Sequence, residues 1–149
     1  MPDAPKATAK AASVLAGPGR AICEVRGHRY PLDAPPLIGG PNEEVNPVEA
    51  MVAALAACGA LFLQHLSQAM GVPLGSVRTE AEGDFDPRGV KGEGPDPILS
   101  AVRLRYLVTA GAGTDRKVVE RLIEAFRARC PVHRTFSKAV FIQEEIVLR

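Results

Sequence analysis

The chain has 149 residues, the size of one ordinary domain, and long enough to bury roughly two-thirds of the surface its unfolded form would expose. Lys and Arg total 18 against 17 for Asp and Glu, so no net basic field gathers nucleic acid or an anionic membrane, and a nucleic-acid-binding function is set aside. Three Cys are too few for a disulfide scaffold, which leaves each thiol as either a small buried hydrophobe or a reactive group. The opening MPDAPKATAK lacks the apolar core of a secretory signal. The most apolar run, residues 45–70, is interrupted by Glu49, Gln64, His65 and Gln68. The expectation is a soluble, cytoplasmic protein with no membrane partner, folded as one domain over residues 1–149.

Residues 1–6, with Pro2 and Pro5, are expected to be a mobile N-terminus. TAKAASVLAG, AICEV and HRYPLD then read as short strands separated by GPG and RG turns, which makes an N-terminal antiparallel sheet. The segment from Leu32 to Glu44 has no apolar period and reads as a loop. It leads into a long helix with clear ends. Asn46 suits the N-cap, Pro47 the first turn and Glu49 the third position, where a carboxylate reaches back to the cap amide, while Gly71 and Pro73 stop the helix. Residues 47–70 would extend about 36 Å at 1.5 Å each. Apolar residues occupy nearly every face, so the helix is expected to run through the protein or into a partner subunit.

SVRTEAEGDFD alternates Val77, Thr79 and Ala81 with Arg78, Glu80 and Glu82, the period of a half-exposed strand. After the loop PRGVKGEGPDP, the segment ILSAVRLRYLVTA turns Ile98, Val102, Leu104, Tyr106 and Val108 inward, predicting a second antiparallel pair. Thr114 or Asp115 caps a second helix with one stripe of Val118, Val119, Leu122, Ile123 and Phe126. Cys130 lies on that stripe, and Pro131 is expected to limit further helix. In AVFIQEEIVL, Val140, Ile142, Ile146 and Leu148 alternate with polar positions, so the chain closes on a strand.

Cys58 sits in the long helix among Leu55, Leu61, Phe62 and His65. By itself it reads most simply as packing, because free Cys is among the most buried residue types. Cys130 changes the weighing: two inward thiols on two helices can meet. Cys23, between Ile22 and Val25 in a strand, reads as packing, with an auxiliary thiol as the alternative. His133 forms Cys-x-x-His with Cys130, and His65 and Cys58 could add ligands, but one short pair without a second is weak and no metal is expected. His28, Arg103 and Arg105 read as solvated strand residues. GPGR and IGGP lack the strand-to-helix setting of a phosphate loop, so nucleotide binding is rejected.

Asn46, Pro47 and Glu49 at a helix start, Cys58 twelve residues after Asn46 in an Ala-rich helix, and a distant Cys130-Pro131 occur in this order and spacing. In these features, and in the loop GHRYPLDAPPLIGGPNEEVNP, the sequence over about residues 20–149 resembles the OsmC/Ohr family of osmotically inducible and organic hydroperoxide resistance proteins. The resemblance implies an α+β fold in which antiparallel sheets wrap a long central apolar helix. It also implies an intertwined homodimer with two active sites at the subunit interface. It further implies a cysteine-based peroxidase: Cys58 attacks an organic hydroperoxide, Cys130 resolves the product as a disulfide, and an external dithiol, lipoyl-linked in well-studied members, restores both thiols. No bound cofactor is implied.

A thiolate is the attacking species, and an ordinary thiol is mostly protonated near pH 7, so the site needs a cation or donor. Arg20, Arg26 and Arg29 are the candidates, with Arg26 favoured. The Ohr branch has its carboxylate directly after the Pro, where this chain has Val48, so the sequence looks closer to the broader OsmC-like branches. Glu49 lies about 180° around the helix from Cys58 at 100° per residue. It reads as a helix cap or, from a partner chain, as an active-site carboxylate. The alternative function is a non-enzymatic redox sensor or apolar-ligand-binding protein on the same scaffold.

Overall fold

The computed structural model describes residues 6–149, so the expected mobility of the N-terminus falls almost wholly outside the described residues. The chain divides into two compact units, residues 1–50 and 51–149.

The first unit holds a three-stranded antiparallel meander of β1 (Ala12–Gly17), β2 (Arg20–Val25) and β3 (His28–Asp33). These are the three strands expected from TAKAASVLAG, AICEV and HRYPLD. Two tight turns set the register, which runs Ser13 opposite Cys23 opposite Tyr30. The β2–β3 turn places Arg26 at φ 50° and Gly27 at φ 81°, the paired left-handed conformation that matches a two-residue hairpin to strand twist. A short 3-10 turn, Pro36–Ile38, interrupts the loop that follows.

Helix α1 (Pro47–Ala69) starts where the sequence placed it. The Glu49 amide donates to Asn46 Oδ1 at 3.0 Å and the Asn46 amide donates to Glu49 Oε2 at 2.9 Å, a reciprocal capping box. Past its other end, Gly71 takes φ 64° and the Val72 amide donates to the Ser67 carbonyl at 2.8 Å, satisfying a last-turn acceptor.

In the second unit α1 buries a single stripe, Leu55, Gly59, Leu63, Leu66 and Ser67, while Leu61 remains 67% exposed. By length and composition α1 could also cross a membrane, a test that core helices of soluble proteins pass as well. Gly59 permits close approach to the sheet, since a Cβ there would lie 2.8 Å from Thr79 Cγ2.

The second sheet has the order β4 (Leu74–Asp84), β5 (Ala101–Ala110), β6 (Ile142–Leu148). β4 and β5 pair antiparallel, as expected, over almost their full length. β6 joins β5 in parallel, with Val102 opposite Ile142 and Val108 opposite Leu148, so the pairings are not all antiparallel. The reason lies in the connection: two helices, α2 (Arg116–Arg129) and α3 (Pro131–Ala139), carry the chain back to the end where β5 began. β5 alternates as expected, with Val102, Leu104, Tyr106 and Val108 buried, but Ile98 precedes the strand and is exposed. These residues close the core with Leu55, Leu63 and Leu66 of α1 and Val119, Leu122, Ile123 and Phe126 of α2. Each such side chain stabilises the fold by about 1.5–3 kcal/mol through burial.

α3 corrects the expectation that Pro131 limits the helix. Pro131 occupies the first helical position, where its missing N–H has no intrahelical partner to lose and its fixed φ suits the turn. The segment expected to break from the helix instead begins a new one.

Candidate active site

Cys130 is the vertex between two helices. Its backbone amide donates to the Phe126 carbonyl at 2.8 Å, closing α2, and its Sγ accepts from the His133 amide at 3.4 Å, opening α3. The residue takes extended angles, φ −73° and ψ 119°, as a cap between helices must. Its side chain is fully buried on the α2 stripe. Cys58, half-buried on α1, packs at the rim of the same core with Phe62 and Val132. The two sulfurs lie 2.9 Å apart, hydrogen-bonded as free thiols. A disulfide needs about 2.05 Å, so closing the bond requires less than 1 Å of further approach.

Burial first, then the hydrogen bond to Cys130 and the repulsion of its charge, push the Cys58 thiol up to about 11, against the opposing N–H of Val132. Val132 and His133, in the first turn of α3, thus direct amides at Cys58 and Cys130 respectively. That turn is the positive end of a helix, where a thiolate is favoured.

Beside the thiols stands a polar junction that the sequence reading missed. Glu144 Oε1 accepts from Tyr106 Oη at 2.6 Å and lies 3.1 Å from His133 Nε2, while its Oε2 pairs with Arg127. The signal was present in the last strand: Glu144 occupies the same alternation as Ile142 and Ile146, an acid in an inward register. His133, weighed as a metal ligand from the sequence, is committed to this carboxylate. Among the described residues no three His, Cys, Asp or Glu side chains cluster as metal ligands.

The other residues singled out from the sequence have these settings. In the first unit Arg26 is an exposed turn residue that enters no salt bridge among the described residues, and Arg29 pairs with Glu24 at 2.9 Å. Arg20 is held by Asp33 at 3.3 Å and by Glu43 at 2.5 Å. Asp33 is itself buried, and although burial raises its pKa, amides from Glu43 and Glu44 together with Arg20 hold it below the usual carboxylate value. Glu49 serves the capping box. Cys23 Sγ lies 2.9 Å from Ser13 Oγ, and in the second unit His65 stands edge-on to Phe62.

An α+β scaffold that brings a helix-borne thiol against a second thiol at a helix–Pro corner defines a vicinal-dithiol protein. The model of the family described as OsmC-like protein matches residues 40–145, and the chain belongs to that family. Solved structures share the fold. An OsmC-like protein from Mycoplasma pneumoniae is similar at 17% identity with a TM-score of 0.80, over 95% of this chain and 97% of that one. An organic hydroperoxide resistance protein OsmC from Legionella pneumophila is similar at 19% identity and TM-score 0.71, over 95% of this chain and 97% of that one. An organic hydroperoxide resistance protein from Elizabethkingia anophelis is similar at 15% identity and TM-score 0.75, over 97% and 99%. No curated protein matches the chain at a significant level.

Proposed function

We propose that the protein is a thiol-dependent peroxidase that reduces organic hydroperoxides, working in the cytoplasm as a homodimer and regenerated by an external dithiol. The observation that carries this reading is the 2.9 Å contact between Cys58 and Cys130, one half-buried and one fully buried.

The chemistry runs in three balanced steps. The Cys58 thiolate attacks the distal peroxide oxygen, the O–O bond breaks, and the alkoxide takes up a proton and leaves as an alcohol, giving a Cys58 sulfenic acid. Cys130 sulfur then displaces the hydroxyl, which leaves as water with the Cys130 proton, and the S–S bond forms. A dithiol supplies two electrons through a mixed disulfide and departs as its own disulfide. The apolar neighbours Phe62 and Val132 suit a hydroperoxide with a hydrocarbon body.

Burial and the neighbouring Cys130 raise the Cys58 thiol and so disfavour its thiolate, which a nearby cation would favour. Of the three arginines named from the sequence, Arg20 is the one held by two carboxylates, which supports it for that part beside the favoured Arg26. Homodimer formation is supported by the apolar residues that α1 leaves exposed, Met51 and Leu61 among them.

The same 2.9 Å thiol pair supports a second reading, a redox sensor that closes to a disulfide once and does not turn over. Catalytic consumption of cumene hydroperoxide with a dithiol reductant supports the peroxidase. A single stoichiometric oxidation with no turnover supports the sensor.

A further inference from the structure

The residues three before and three after Cys130, Arg127 and His133, both end on the same carboxylate, Glu144 of β6. Tyr106 of β5, fully buried, donates to that carboxylate as well. Thus α2, α3, β5 and β6 are tied at one point, and the corner they fix has Cys130 as its vertex. Phe126 completes the packing, with its ring edge-on to Tyr106 at 5.9 Å and to His133 at 5.1 Å between centroids. The Glu144 side chain is only 10% exposed and the His133 side chain 8%, so water competes weakly for these bonds. None of the four residues has a part in the peroxide chemistry above.

We propose that Glu144 is a positioning residue for the resolving thiol. By holding Arg127 and His133 it sets the α2–α3 corner, keeps Cys130 Sγ capped by the His133 amide, and maintains the short approach to Cys58. The inference rests on the peroxidase reading in taking the disulfide as the resolving step, but the geometry it explains is that of the thiol pair. The physical lever is effective concentration. Disulfide formation within a chain is favoured in proportion to how closely the two sulfurs are held, and a loosened corner spreads Cys130 over positions from which no bond forms. Tyr106→Phe removes one tie and leaves the Glu144 carboxylate with Arg127 and His133, so it tests the corner by the smaller perturbation.

The test is redox titration of the full-length protein in glutathione buffers, with the Cys58–Cys130 disulfide quantified by peptide mapping. Wild type, Glu144→Gln and Tyr106→Phe are compared at a temperature where circular dichroism shows each folded. The expected result is a fall in the equilibrium constant for disulfide formation by about threefold or more in both variants, larger in Glu144→Gln. Values within about twofold of wild type in folded Tyr106→Phe and Glu144→Gln overturn the proposal. Should Glu144→Gln fail to fold, Tyr106→Phe and His133→Gln decide by the same thresholds. The titration uses no peroxide, so its outcome is independent of the function proposed above. Absence of cumene hydroperoxide turnover in wild type, alongside shifted equilibria in the variants, overturns the peroxidase and leaves the positioning role standing.

Discussion

Cys58 Sγ and Cys130 Sγ lie 2.9 Å apart although 72 residues separate them in the chain, and neither is bonded covalently. The pair differs in surroundings: Cys130 is fully buried at a helix corner, whereas Cys58 is half-buried on a long helix. On the proposed peroxidase reading, this unequal access gives the reachable thiol, Cys58, the attacking role.

That asymmetry makes the two serine variants distinguishable. Cys58→Ser should abolish consumption of cumene hydroperoxide, because a hydroxyl cannot reproduce the two-electron chemistry of sulfur. Cys130→Ser should still reduce the first equivalent, leaving a sulfenic acid that dimedone traps and that excess peroxide converts to sulfinic acid. Mass spectrometry of the Cys58 peptide reads both outcomes. A Cys58 that stays reduced in folded wild type under excess hydroperoxide would sink the assignment.

The Cys58 thiol is raised by burial first and then by the Cys130 hydrogen bond and charge, so Cys130→Ala removes two of its three raising causes. The pH at which alkylation of Cys58 by iodoacetamide reaches half its limiting rate should therefore move downward in Cys130→Ala relative to wild type. The linkage sign is that of an acid with a raised folded pKa. Its contribution to the stability of the reduced protein is present below the ordinary thiol value of 9.0 and is lost as pH rises through about 11. Thermal melts of the reduced protein should fall across that window, and fall less in Cys130→Ala.

Anchoring by carboxylates predicts which arginine matters. Arg20→Ala should lower kcat/KM for cumene hydroperoxide by about 10²-fold, the scale of removing an oriented charged donor. Arg26→Gly keeps the left-handed turn that φ 50° requires and should stay within about twofold of wild type. A reversed order would return the role to Arg26.

Leu61 is the most exposed large apolar residue of α1, at 67%. If that face meets a second copy, Leu61→Glu buries a charge without a partner and should weaken self-association at least about tenfold, read by sedimentation velocity at low micromolar concentration. Wild type should sediment as two chains. A wild-type monomer that remains folded and compact would refute the dimer.

Local chemistry made much of this molecule legible in its sequence. The capping box of Asn46 and Glu49 and the Gly71 stop bound α1 because those groups act on backbone atoms within a turn of themselves. Alternation placed Val102, Leu104, Tyr106 and Val108 in the core, since side chains of a strand reverse face at every residue. The two thiols could be named from the helices that carry them. What period and propensity do not encode is which elements meet. The parallel seating of β6 depends on where α2 and α3 return the chain, a consequence of packing rather than of the strand's own residues. Pro131 reads as a breaker until the preceding helix is seen to end two residues earlier, at Arg129, which turns the same residue into a helix start. Glu144 looks like one more polar residue of a strand. Only tertiary structure gathers Tyr106, Arg127 and His133 around it, because a buried carboxylate is tolerated just where donors from other elements converge to offset its lost hydration.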